Sequence, residues 1–149
     1  MDMLPTQPSD RLNVYPEEKV HRIFILSGTF FQLILFPFAA TLFTADNSIG
    51  LLAILFLPIY IIGGGLFGMA IMSVISTWHV RQKRYIERGW WIQTFLVGYL
   101  VTTVFYAIFL SSMIDILHLL AFGLTGGVSA MLAAMSALPT LDEYTEELS

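Results

Sequence analysis

The sequence contains no cysteine. That removes disulfides, thiolate nucleophiles and cysteine-ligated zinc or iron–sulfur centres together, and it leaves no trace of redox compartment. Charge is scarce as well: 12% of residues are Asp, Glu, Lys or Arg, about half the usual share of a water-soluble domain. Apolar side chains fill the difference. Hydrophobic residues make up 56% of the 149-residue chain, and its mean hydropathy is +0.75, a balance that does not suit water as the main solvent.

Crossing a bilayer takes about 20 mostly apolar residues as helix. Four runs reach that length: 23–43, 51–75, 91–110 and 116–138. The first three contain no charged residue, and the fourth has His118 as its one histidine. The fold expected is therefore all-α, a polytopic integral membrane protein. Its four transmembrane helices form two antiparallel hairpins in a compact bundle over residues 16–139, between a flexible tail at 1–15 and an acidic tail at 140–149.

The seven basic residues fall in two places, Arg11, Lys19 and Arg22 before the first run and Arg81, Lys83, Arg84 and Arg88 between the second and third. Lysine and arginine near span ends mark the cytoplasmic side. With four spans both clusters share that side, so both termini are expected in the cytoplasm. The expected location is a multi-pass position in a cytoplasmic membrane, the bacterial inner membrane. A cleaved signal peptide fits poorly, because the polar leader carries four carboxylates and FAAT is a weak cleavage site.

Pro16 suits a first helical position, and Glu17 and Glu18 then sit at the positive end of the helix dipole. Trp78, Trp90 and Trp91 flank the basic loop, as expected of rings at headgroup level. That loop reads as an orientation signal and anchor, or as a contact for anionic lipid. Asp142, Glu143, Glu146 and Glu147 fall on the same side and are expected to be solvated, with docking on the loop as the alternative.

The second run carries three consecutive glycines, Gly63, Gly64 and Gly65, each costing roughly 1 kcal/mol in a helix relative to alanine. In lipid, helices associate through close backbone approach, which small residues spaced four apart permit. Gly64 and Gly68 form one such step, and Gly65 continues the row toward Ser73. Gly123 and Gly127 form another, while Gly126, Ala130 and Ala134 make a smooth strip that Ala133 and Ala137 widen. These residues are the expected helix-packing interface. The competing reading makes the glycines unwound segments of a midplane binding site. A faint internal echo relates GGLFGM to GGVSAM, and Leu26-x-Gly28 to Leu96-x-Gly98.

Polar residues inside the runs are few. Gln32 is the costliest, since a buried amide needs partners; Tyr60, Thr102, Thr103 and Tyr106 are the candidates. Asp115 and His118 share a helical face at the outer mouth of the fourth run, where Ser112-x-x-Asp115 resembles a capping box. Pro37 and Pro58 are expected within helices one and two, bending them.

Paired membrane carboxylates, histidine metal spacings, a serine with a base and phosphate-cradling loops are not found in the sequence. The reading is a noncatalytic membrane protein with no cofactor, metal or nucleic acid. It acts through helix–helix binding to another membrane protein or to itself, as an accessory, assembly, regulatory or immunity-type subunit. The alternative is a small oligomeric transporter or channel.

Overall fold

The computed structural model describes residues 15–42, 57–110 and 116–140. Among these the chain is all-α: α1 (Glu17–Leu42), α2 (Leu57–Arg81), α3 (Trp90–Leu110) and α4 (Ile116–Ala137). Three of the helices are long and apolar enough to cross a membrane, α1 over Glu17–Pro37, α3 over Trp90–Phe109 and α4 throughout. The second expected span, 51–75, begins outside the described residues. Its helix continues past Ile75 to Arg81.

Local chemistry sets the helix ends. The Pro16 carbonyl accepts the Val20 amide at 2.9 Å, the first helical bond of α1. Pro37 lies inside α1, which continues to Leu42. Pro58 lies in α2 at the edge of the described residues. The glycine run stays helical throughout α2, and α4 is likewise continuous across Gly126 and Gly127.

At its other end α2 closes in a Schellman motif. The Arg84 amide donates to the His79 carbonyl at 3.1 Å and the Lys83 amide to the Val80 carbonyl at 3.0 Å. The residue this motif places in the left-handed region is ordinarily glycine; here it is Lys83, with φ of 48°. A left-handed conformation costs an L-residue about 1–2 kcal/mol, partly offset by the entropy glycine would lose there. Lys83→Gly should therefore raise stability by roughly 0.5–1 kcal/mol, measurable as a higher unfolding midpoint in mild detergent. An unchanged or lower midpoint would contradict the strain.

The helices form a ring in which α1 packs broadly on α2 and α4, α4 packs broadly on α3, and α2 barely touches α3. Contacts climb one helix as they descend the next: Gly28 faces Met72, while Gly68 faces Gln32 and Gly64 faces Phe36. The echo between chain halves would make the α1/α4 and α2/α3 contacts equivalent, yet they differ. The reason is side-chain bulk. α1 and α4 approach through Gly28 and Ala133, whereas Phe67 of α2 meets Phe105 and Phe109 of α3 at ring distances of 5.5 and 5.9 Å.

The core is mainly apolar, yet large apolar side chains also cover the outside. Leu26, Phe30 and Ile34 form an outward row on α1, and Leu96, Leu100, Val104 and Ile108 form one on α3. Thr29, Gln32, Ser76, His79, Thr94, Thr102 and Ser129 are all buried. At one end of the bundle the start of α1, the 82–89 loop and the end of α4 meet. Tyr15 Oη donates to the Arg84 carbonyl at 2.8 Å, and the Ile86 amide donates to the Pro139 carbonyl at 3.1 Å beside a parallel bridge to Thr140.

Candidate functional site

The sequence-predicted packing residues meet partners within this chain. Gly64 and Gly65 lie in ordinary contact with α1, where an added methyl would be 3.7 Å from Phe36 or Leu33. Gly68 is tighter, at 3.2 Å from Gln32 Cγ. The α3/α4 contact is closer still. A methyl on Gly98 would stand 2.6 Å from Ala130 Cβ and 2.9 Å from the Gly126 carbonyl oxygen, and one on Gly127 would stand 3.0 Å from the Phe95 carbonyl oxygen. At Gly126 it would overlap Thr102, and at Gly123 it would overlap Thr103 and Tyr99. Ala130 and Ala134 are fully buried. Gly98, named above only for the internal echo, is thus the α3 counterpart of the α4 strip.

Where glycine lets two backbones meet, short polar side chains fill the remaining gaps. The Thr102 and Thr103 hydroxyls have no conventional hydrogen-bond partner, but they rest on Gly126 and Gly123. There glycine Cα–H groups can donate weakly to them. Gln32 is fully buried and donates through Nε2 to Thr125 Oγ1 at 3.4 Å. Thr125 spends its own proton on the Phe122 carbonyl at 2.8 Å. The predicted partners Thr102 and Thr103 are bypassed, and the Tyr106 hydroxyl faces Gln32 without closing a well-formed bond. Thr125 was legible as the polar residue between Gly123 and Gly127 on the packing face.

An aromatic layer closes the interior beyond Gln32. Phe36 stacks on Phe122 at 4.7 Å and on Tyr106 at 5.8 Å, while Tyr106 lies 5.0 Å from Phe122. His118 is half-buried in the first turn of α4. Ser112 and Asp115 lie outside the described residues, as do the surroundings of Tyr60 and Gly63 and the tail residues 1–14 and 141–149.

The opposite, basic end holds polar chemistry that the apolar-run reading passed over. His79 is buried between the rings of Phe24 at 5.2 Å and Trp78 at 4.7 Å. Its Nε2 meets Thr94 Oγ1 at 3.4 Å and its Nδ1 has no hydrogen-bond partner. Beside it is a cavity of about 10 Å³ bounded in part by Trp78, Arg84, Trp90 and Gln93, room for about one water. Burial, and then the positive charge of Arg84, push the imidazole down to about 4, so His79 is neutral near pH 7. Ser76 Oγ and His21 Nδ1 share a 2.9 Å hydrogen bond that ties α2 to α1.

Of the basic-loop residues, Arg81, Lys83 and Arg88 are exposed and Arg84 is half-buried. Arg84 is held on three sides. Its Nε donates to Gln82 Oε1 at 2.7 Å, its Nη1 donates to Gln93 Oε1 at 2.8 Å, and its guanidinium carbon lies 5.2 Å from the Trp78 ring centroid. Among the described residues no group of three metal-ligating side chains converges. No family model, curated protein or solved structure matches the chain.

Proposed function

We propose that this chain is a multi-pass integral membrane protein that acts without catalysis, by binding another membrane protein as an accessory, assembly, regulatory or immunity-type subunit. The observation that carries the membrane part is the rows of large Leu, Ile, Val and Phe side chains left on the outside, around an interior that mixes apolar residues with Gln, Thr, Ser and His. In water those outward rows would contribute no hydrophobic driving force, whereas in lipid they cost little and the interior polar groups can hold helices together. The basic loop, with the start of α1 and the end of α4 beside it, then faces the cytoplasm, and each antiparallel pair forms a hairpin. The inner membrane of a bacterium is the setting this reading adopts.

Binding is the preferred activity because the glycine rows make rigid, closely packed pairs, and an aromatic layer fills the interior beyond Gln32. With those rows occupied by the chain's own helices, the surface offered to a partner is the outward apolar face. The second reading, an oligomeric transporter or channel, draws support from the buried and unpartnered Gln32 Oε1, Tyr106 hydroxyl, Thr29 Oγ1 and Ser129 Oγ.

Gentle extraction from native membranes followed by intact-mass analysis separates the two. A second membrane protein at fixed stoichiometry supports the binding role. A chain recovered alone, whose reconstituted vesicles pass a solute with flux sensitive to Gln32→Leu, would replace it with transport. Because the chain lacks cysteine, single cysteines placed in the basic loop and within residues 44–50, between the first two expected spans, test orientation against a clean background. Labelling of both from one side would refute the topology.

A further inference from the structure

Among the described residues Arg84 is clamped without being neutralised. Its partners there are two neutral amides and an indole face, and neither it nor Arg81, Lys83 or Arg88 meets a carboxylate among those residues. A guanidinium carries five N–H donors; the two glutamines take two, leaving three on the Nη1/Nη2 side. Fixing that fork in advance removes most of the ordering cost of a later contact while keeping the full charge available. Beside it Lys83 accepts a left-handed backbone, φ 48°, where glycine would sit without strain. Strain of this kind persists where the side chain has a use. The turn lies among Trp78, Trp90 and Trp91, with four cations facing one carboxylate, Glu87, between residues 81 and 88.

We propose that Arg84, with Lys83 beside it in the left-handed turn, binds the phosphodiester of an anionic phospholipid at the basic end of the bundle. The tetrahedral oxygens of a phosphodiester accept a bidentate pair from the free guanidinium edge, and the ammonium of Lys83 adds a point charge next to it. Gln82 and Gln93 aim the fork and the Trp78 face supports it. The proposal rests on the membrane reading above.

The test uses the whole chain reconstituted in phosphatidylcholine vesicles and in equimolar mixtures with phosphatidylglycerol, one lipid at a time carrying brominated acyl chains. All three tryptophans surround the proposed site, so quenching ratios between the brominated lipids report headgroup preference there. The wild-type chain should prefer phosphatidylglycerol. Arg84→Gln should cut that preference about fivefold, the share of one basic residue near an anionic leaflet, with helicity by circular dichroism unchanged. Arg84→Lys, which keeps the charge but loses the fork, should recover only part of it. Lys83→Gly should weaken the preference even as it raises the unfolding midpoint.

Equal quenching by both lipids in a wild-type chain that still incorporates into phosphatidylcholine overturns the proposal and leaves the membrane reading standing. A chain that enters neither vesicle overturns the membrane reading itself. The Ile86–Thr140 bridge brings the start of the acidic tail beside the loop, so a variant with Asp142, Glu143, Glu146 and Glu147 changed to amides completes the set. An unchanged preference supports the lipid site; a preference that emerges only in this variant assigns Arg84 to the tail and overturns it.

Discussion

Gly126→Val is expected to cost about 3 kcal/mol or more, at the upper end of overpacking penalties, whereas Gly64→Ala should be neutral or stabilise by up to about 1 kcal/mol. Both positions are small residues on helices in glycine rows, and sequence alone ranks them equally. The structure separates them by what a methyl group would meet. At Gly126 it lands on the Cβ, Cγ2 and hydroxyl of Thr102, a short branched side chain that is itself fully buried. At Gly64 the nearest atom is 3.7 Å away, so the gain in helix propensity is kept. Unfolding monitored by circular dichroism in mixed micelles reads both. Combining Gly126→Ala with Thr102→Gly should recover part of the loss, since the two changes act on one contact and are not additive. Equal costs at Gly64 and Gly126 would disprove the close α3/α4 approach.

Acid should loosen the bundle through His79. The folded imidazole takes up its proton only at about 4, against 6.5 for the exposed ring. Between those values the unfolded chain binds more protons, so stability is full above pH 6.5 and falls as pH drops through 4. A displacement of that size is worth about 3 kcal/mol when complete. The wild-type unfolding midpoint should decline across this window, and His79→Gln, which cannot gain a proton, should flatten the decline. The positive charge of Arg84 adds to the effect, so Arg84→Gln should leave the onset of the decline unchanged but make the decline smaller and end it at a higher pH. A profile from pH 7 to 4 identical in wild type and His79→Gln would exclude His79 as the source.

Much of the scaffold can be read from composition, because apolar runs of this length have few stable forms. The helices at 90–110 and 116–137 match the runs closely; α1 begins at Glu17, one residue after the first helical position expected of Pro16, with Glu17 and Glu18 in its first turn. Partner choice is less legible. Gln32 announces that it needs a hydrogen bond but not which helix supplies it, and Thr125 is found only once α4 lies beside α1. Gly98 looks isolated in sequence because its small-residue counterparts, Gly126, Gly127 and Ala130, sit on the next helix. The polar chemistry of the basic end was missed for a simpler reason: a search for long apolar runs discards the residues just beyond them. His79, Thr94 and Gln93 lie there, and their roles depend on the turn that returns the chain from α2 to α3.

The bond from the Ile86 amide to the Pro139 carbonyl joins the middle of the chain to nearly its last described residue. During synthesis the loop between α2 and α3 emerges well before Pro139 exists, so this amide waits through the making of the whole of α4. A nascent chain with three helices complete therefore still displays an unanswered donor on its basic side. Only the arrival of the final turn supplies its acceptor, so this contact cannot form before the end of α4 has been made.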